Sequence, residues 1–328
     1  MTTAPERQDA AELNPTIYCW IVIFAALGVW ILPFPEWSFV KQVYRARTDP
    51  AQIAIVGPST IDTVSSCDTD KRGIADMIAD ISGLKVVDLS LGGQHIADSV
   101  DLSAVAGANP AVADVVLPVA YPYLDDWTTP YFRKVAVYQW LAPEFPAYWA
   151  GGLTRFWSGL SAQPRRIERG YRFEGKEYPD YRTLATTIFS ESKKNGACPE
   201  QLSPDPAFTK SYYWWTQVAT KDFSSLSEWV PLLARDLAAR RKHLLVVLLP
   251  TNFEYIKDLN PQWPGIVRST QSAFRTNLIR RGVNVLDLAE DLPSDDFIER
   301  WAGPIDFKQS GRLQVAKRVI EKLREMSN

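Results

Sequence analysis

Short, strongly apolar runs alternate with amphipathic segments along this 328-residue chain, and this pattern constrains its fold more than any other feature. Such runs are typical of buried strands, and the segments between them have helical spacing. The predicted strands are 53–56, 85–90, 115–119, 243–249 and 283–288. The predicted helices are 72–82, 96–106, 226–241, 265–281 and 310–326. Strands alternating with helices predict an α/β domain with a mainly parallel sheet, over residues 51–328.

Residues 121–225 interrupt this alternation. They are rich in Trp, Tyr, Pro and charged residues and have weak periodicity, which predicts a helical, loop-rich insertion. The whole chain contains 12 Trp, 13 Tyr and 14 Phe. These aromatic side chains either fill a core and cover the sheet, or form stacking platforms for sugar rings or a buried protein interface.

Composition excludes several classes of function. The 36 basic and 38 acidic residues nearly balance and form no block of like charge, so we expect no nucleic-acid partner. With two histidines, three cysteines and no Cys-x-x-Cys, the sequence predicts no metal site and no cofactor. Cys67 and Cys198 either form a disulfide in an oxidising compartment or remain two free thiols.

An uncharged stretch near the N-terminus predicts a membrane anchor. Residues 17–34 are 18 residues without a charge, about the minimum for crossing a bilayer core. A cleavable signal peptide is the main rival, but the residues before the stretch are more acidic than basic. We therefore expect a polar tail over 1–15, an uncleaved single-pass anchor in lipid over 16–37 and a connector over 38–50.

The orientation of this anchor stays open. Lys41, Arg45 and Arg47 follow the span, and the positive-inside rule would keep the following domain in the cytoplasm. Large domains often cross the membrane regardless of such a weak bias.

The turn Gly57-Pro58-Ser59-Thr60 follows the first predicted strand. Open α/β folds carry their chemistry at the carboxyl ends of the strands, which makes Ser59 a candidate nucleophile. Backbone N–H groups of such a turn can stabilise an oxyanion. The alternative interpretation is that Ser59 only caps a helix.

A candidate acid precedes the last predicted helix. An aspartate three residues before a histidine orients the imidazole as general base for a serine, and Asp306 has this position. The residue three positions later is Gln309, in place of histidine. A carboxamide can hold a hydrogen-bond geometry, but it cannot accept the serine proton at neutral pH.

Two further positions at strand ends are candidates for oxyanion or substrate contacts. Gly93 lies in a glycine pair after the second strand, where backbone can approach a ligand closely, or it simply forms a tight turn. Asn252 follows the fourth strand, where it either orients a substrate or is an ordinary polar loop residue.

These motifs together resemble the SGNH hydrolase-like superfamily. The chain is similar to its membrane-anchored branch, which includes DltD and the AlgX/AlgJ-type polysaccharide O-acetylation proteins. The resemblance covers roughly residues 50–328 and rests on the segments 55–60, 87–94, 248–252 and 285–288 together with Asp306.

This resemblance implies a three-layer sandwich with Ser59 as nucleophile, Asp306 as the triad acid and Gly93 as an oxyanion donor. It also implies a domain outside the cytoplasmic membrane. The implied partners are a multi-pass MBOAT-type acyltransferase and a polysaccharide or other cell-envelope polymer.

Two departures from the family pattern put catalysis in question. Gly-Asp-Ser is Gly57-Pro58-Ser59 here, and proline removes a backbone N–H. Loss of the histidine base costs several orders of magnitude in rate, unless His95 or Lys308 replaces it.

Three functions follow as hypotheses. The first is an O-acyltransferase or esterase that works through acyl-Ser59. The second is a catalytically inactive SGNH-like protein that binds a glycan or organises a cell-envelope assembly. The third is a structural subunit of a membrane complex.

Overall fold

The computed structural model describes residues 37–65, 68–91, 94, 96–121, 124, 171–173, 176–178, 223–298 and 306–327. In this part of the chain, five strands form one parallel sheet in the order β2-β1-β3-β6-β7. They are β1 (Ile53–Ile55), β2 (Val86–Asp88), β3 (Asp114–Val119), β6 (His243–Leu248) and β7 (Asn284–Asp287). The strands β4 (Tyr171–Phe173) and β5 (Lys176–Tyr178) form a separate antiparallel pair.

Strand order places a topological switch point beside β1. Ala54 of β1 pairs with Val87 of β2 on one side and with Val115 of β3 on the other. After β2 the chain crosses back over β1, and β3, β6 and β7 continue in the opposite direction. In open α/β sheets, ligands bind outside the carboxyl ends of the strands at such a point.

Helices cover both faces of the sheet. They are α1 (Trp37–Thr48), α2 (Ile74–Ser82), α3 (Ile96–Ala108), α4 (Ser224–Ala239), α5 (Phe253–Leu259), α6 (Trp263–Arg280) and α7 (Gln309–Ser327). The core on one face includes residues of α2 and α7, and the core on the other includes residues of α1, α3, α4, α5 and α6. The predicted α/β fold with a parallel sheet is thus confirmed, and it has three layers.

Burial on both faces explains why the strands are nearly continuous apolar runs. Ile53 and Ile55 of β1 pack on the α2 and α7 side, whereas Ala54 and Val56 pack on the other. Successive side chains of a strand point to opposite faces, so a sheet covered twice requires an apolar residue at almost every position.

Two helices lie where the sequence predicted none. Helix α1 occupies most of the segment assigned to a connector, and its Val43 and Ala46 are buried in the core. Its Gln42 Nε2 donates to the Ser90 carbonyl at 3.1 Å. Helix α5 follows β6 directly. The helical, loop-rich insertion predicted for 121–225 lies almost entirely outside the described residues. The described part of it includes the β4–β5 pair.

The predicted membrane anchor also lies outside the described residues, except for Trp37 in α1. Within the described ranges, no helix combines the length and the apolar character that crossing a bilayer requires. Cys67 and Cys198 lie outside the described residues as well, so their pairing stays a prediction.

Candidate functional site

The Ser59 turn is held on both sides by neighbouring strands. Ser59 begins a 3-10 turn that ends at Ile61, and Ile61 N–H donates to the Pro58 carbonyl at 3.2 Å. Pro58 forms a parallel bridge with Leu91, which extends the pairing between β1 and β2. On the other side, Val56 N–H donates to the Val116 carbonyl at 3.0 Å. The turn therefore lies at the carboxyl end of β1, at the switch point.

Gly57 lies where β3 approaches the turn closely. A Cβ at this position would lie 3.1 Å from Cδ of Pro118, which is tighter than most Cβ contacts. Pro118 itself lies inside β3 and pairs with Val247 of β6. The small residue before Pro58-Ser59 thus brings the turn directly against the neighbouring strand.

The turn has few candidates for stabilising an oxyanion. Pro58 has no N–H group, and the N–H of Ile61 already donates to the Pro58 carbonyl. Within the turn, this leaves the N–H groups of Gly57, Ser59 and Thr60 as candidate donors.

The negative charges of carboxylates near the turn disfavour an oxyanion by electrostatic repulsion. Burial raises the pKa of Asp62, which follows the 3-10 turn, and the negative charges of Asp88 and Asp76 raise it further. Asp88 Oδ1 accepts hydrogen bonds from Ser90 N at 2.8 Å and Ser90 Oγ at 2.6 Å.

Within the described ranges, no group of three or more His, Cys, Asp and Glu side chains has the arrangement of a metal site.

Asp306 lies in a strand-like segment that leads into α7. Its carbonyl accepts from Ile298 N–H at 2.8 Å, and Lys308 N–H donates to the Asp296 carbonyl at 2.8 Å. Between them, Phe307 forms an antiparallel bridge with Phe297, and the two rings lie 5.5 Å apart. The backbone on both sides of Phe307 is therefore fixed to the segment 296–298.

The Asp306 carboxyl group has an unusual proton affinity. Its side chain is half-buried, and desolvation raises its pKa to about 7. Near neutral pH this group is thus present in both the protonated and the charged form, which is the range that a general base needs.

Gln309 makes a structural contact with the loop that leads from the Ser59 turn to α2. Its Oε1 accepts from Thr69 Oγ1 at 2.9 Å and from Asp70 N–H at 3.2 Å. The carboxamide oxygen that replaces the expected imidazole is therefore engaged by this loop.

Arg312, one turn further along α7, is a residue that the sequence analysis missed. Its side chain is fully buried and forms an ion pair with Asp68 at 2.6 Å. It also donates to the carbonyls of Asp70, Arg72 and Phe307 at 2.8–3.0 Å. A sequence signal existed, since position 312 falls on the same helical face as the buried Val315 and other core residues of α7.

The structure describes only some of the remaining candidate residues. Asn252 is the N-cap of α5: its Oδ1 accepts from Tyr255 N–H at 3.1 Å. Its Nδ2 is buried without a hydrogen-bond partner in the described structure, so a substrate contact stays a prediction. Lys308 is half-buried before α7. Gly93 and His95 lie outside the described residues.

Comparison with known proteins gives distant structural likenesses alone. No family model matches the chain, and a search of curated proteins finds no relative. Among solved structures, the chain is similar to a lipase/acylhydrolase from Enterococcus faecalis at 9% identity and a TM-score of 0.41. The alignment covers 84% of this chain and 95% of that chain. A likeness at this level carries no functional argument.

Proposed function

We propose that this protein is a membrane-anchored, SGNH-like participant in O-acylation of a cell-envelope or exopolysaccharide polymer, and that the acyl group passes through Ser59. The observation that carries the proposal is the position of the Ser59 turn. It follows β1 at the switch point of the parallel sheet, where α/β folds bind their ligands.

Asp306 is our candidate for the base in this reaction. A carboxylate with a pKa of about 7 is a stronger base than an ordinary aspartate, and Gln309 cannot accept a proton. In the first step Ser59 Oγ attacks the carbonyl of an acyl ester, and its proton passes to the Asp306 carboxylate. The ester bond to the donor alcohol breaks, and the donor oxygen takes the proton from the Asp306 carboxyl group.

In the second step a polymer hydroxyl attacks acyl-Ser59. Its proton passes to the Asp306 carboxylate and then to Ser59 Oγ as the acyl–serine bond breaks. The polymer gains one acyl group, and both side chains return to their starting state.

The second candidate function is a catalytically inactive SGNH-like protein that binds a glycan or supports a membrane complex. The engagement of Gln309 Oε1 by Thr69 and Asp70 favours it, because the base position then has a structural role. Pro58, which has no N–H to offer an oxyanion, favours it too.

The anchor, the extracytoplasmic location and a multi-pass MBOAT-type partner belong to the same proposal. They rest on the uncharged stretch 17–34 and on the motif resemblance.

A serine-directed fluorophosphonate probe and an aryl acetate test the catalytic proposal. The full-length chain is the right material, because α1 contributes Val43 and Ala46 to the core and a shorter fragment would lose them. We expect labelling and hydrolysis in the parent and in a Ser82→Ala control, and neither in Ser59→Ala. Absence of both in the folded parent, with and without its membranes, would favour the inactive candidate.

A further inference from the structure

Helices α4 and α6 both end beside the amino ends of the strands, whereas Ser59 lies at the carboxyl ends. Both helix ends are rich in arginine. Helix α4 is followed by Arg240, Arg241 and Lys242, and α6 ends with Arg280 followed by Arg281. Both helices lead into neighbouring strands, because Leu245 of β6 pairs with Asn284 of β7. We name these five residues, Arg240, Arg241, Lys242, Arg280 and Arg281, the basic edge.

Three cations of the basic edge have no counter-charge. Arg241, Arg280 and Arg281 are exposed, and their side chains form no ion pair or hydrogen bond in the described structure. Arg240 pairs with Asp236 at 3.1 Å, and Lys242 Nζ donates to the Asn109 carbonyl. The pKa of Lys242 is lowered by burial and by the positive charge of Arg240.

Several arginines elsewhere on the surface are paired with carboxylates, whereas Arg235 and Arg324 are exposed single residues that form no ion pair in the described structure. Arg268 lies 2.9 Å from Glu290, Arg275 lies 3.3 Å from Asp287, and Arg318 lies 3.5 Å from Asp291. At the basic edge itself, Asp114 is paired with His243 Nδ1 at 2.9 Å. The protein is slightly acidic as a whole, with a net charge of −2, so this unpaired positive charge is a local feature.

The backbone of Arg241 is strained. Its φ is 60°, and among the described residues it is the non-glycine residue with positive φ. The end of α6 has the same turn, with Gly282 at φ 78° in the matching position. In both turns the next N–H closes onto the helix: Lys242 donates to Leu237 at 2.9 Å, and Val283 to Leu278 at 3.1 Å.

The cluster of cations either only complements the two helix dipoles or binds a ligand. Cations near a helix C-terminus complement the helix dipole, which accounts for Arg240 and Arg280. It does not account for Arg241, because a left-handed conformation is unfavourable for a residue with a Cβ. Strain of this kind is typical of functional positions.

We propose that the basic edge binds an anionic polymer through carboxylate or phosphate groups spaced along it. Four of the five cations are arginines, whose planar guanidinium group binds such groups with two parallel hydrogen bonds. An anionic bilayer accepts lysine as well as arginine, so the predominance of arginine favours a soluble polyanion, although Ile279 next to Arg280 is an exposed apolar side chain. The surface lies away from the Ser59 turn, and it is independent of any chemistry there.

The test titrates the full-length chain into two fluorescein-labelled polyanions, an oligogalacturonate and an inorganic polyphosphate, with neutral dextran as a blank. The double variant Arg280→Gln/Arg281→Gln is compared with Arg268→Gln/Arg318→Gln, which removes the same charge from paired sites. We expect the first variant to raise the Kd about tenfold and the second to raise it less than about twofold. The polymer that responds identifies carboxylate or phosphate as the recognised group.

Arg241→Gly distinguishes a binding role from a structural one. Glycine relieves the strain, so we expect a higher Tm together with a Kd raised about threefold. Equal losses in the two double variants would show that net charge alone matters, and would overturn the proposal. Binding to phosphatidylglycerol vesicles with no binding to either polymer would overturn it in favour of a membrane surface.

Discussion

Arg312 Nη1 donates to Asp68 Oδ2 at 2.6 Å, and the two residues are separated by 244 positions in sequence. The same guanidinium group donates to the carbonyls of Asp70, Arg72 and Phe307. One buried cation therefore ties the loop after the Ser59 turn to the segment that carries Asp306. Arg312 and the Gln309 contacts with Thr69 and Asp70 together hold these two parts of the candidate site.

We predict that Arg312→Met is strongly destabilising. The change leaves the Asp68 carboxylate, whose side chain is only 10% exposed, without its partner, and breaking a buried ion pair costs about 3–5 kcal/mol. Urea denaturation measures the free energy of unfolding. The control is Arg318→Met on the same helix, where an exposed pair with Asp291 contributes about 0–1 kcal/mol. Similar losses in both variants would contradict a special role for Arg312.

We predict that Gln309 can be replaced by glutamate but not by alanine. Glutamate keeps an oxygen acceptor for Thr69 Oγ1 and Asp70 N–H, whereas alanine removes both hydrogen bonds. Each such bond contributes about 0.5–1.5 kcal/mol, so Gln309→Ala should lose about 1–3 kcal/mol. Thermal and urea unfolding of the two variants measure this difference. An alanine variant as stable as the parent would show that the contact is not structural.

The sequence predicted the strands well because a sheet covered on both faces requires continuous apolar runs. The carboxyl ends of those strands then located Ser59 correctly at an edge of the sheet. Arg312 was missed because an arginine in an amphipathic helix is normally a surface residue, and its partner Asp68 is distant in sequence. The contact of Gln309 with Thr69 could not be predicted for the same reason.

The two missed helices have different causes. Helix α5 has only seven residues, too few for periodicity to be read, although its N-cap Asn252 was a usable signal. Helix α1 follows the uncharged N-terminal stretch and is charged on its outer face, which made it resemble a connector.

We predict that Asp306 makes stability depend on pH. Its folded-state pKa of about 7 lies above the ordinary 3.8, so between these values the folded state binds a proton that the unfolded state has lost. Stability from this group is full below about pH 4, falls as pH rises to about 7, and is then constant.

The variant Asp306→Asn isolates this effect, because the other titrating groups are common to both proteins. Relative to the parent, the free energy of unfolding of the variant should rise by at most about 1.4 kcal/mol per pH unit in that range. Urea denaturation at intervals from pH 4 to 8 measures the difference. Parallel stability curves for the two proteins would refute the raised pKa, and retained hydrolysis in Asp306→Asn would refute its role as base.

Gly57 provides the last prediction, since a side chain there presses directly on β3. The Cβ of Gly57→Ala would lie 3.1 Å from Pro118 Cδ, so the strand must shift by a few tenths of an ångström. The larger Gly57→Val should lose about 1–3 kcal/mol through overpacking and displace the Ser59 turn. Gly265→Ala in α6 is the matched control: its Cβ meets no atom within 4 Å, and helix propensity should stabilise it by about 0.5–1 kcal/mol. Urea denaturation measures whether the free energy of unfolding falls in Gly57→Val and rises in Gly265→Ala. Fluorophosphonate labelling reports whether the Ser59 turn has moved. A Gly57→Val protein as stable as the parent would show that β3 can yield, and that the close contact with Pro118 does not position Ser59.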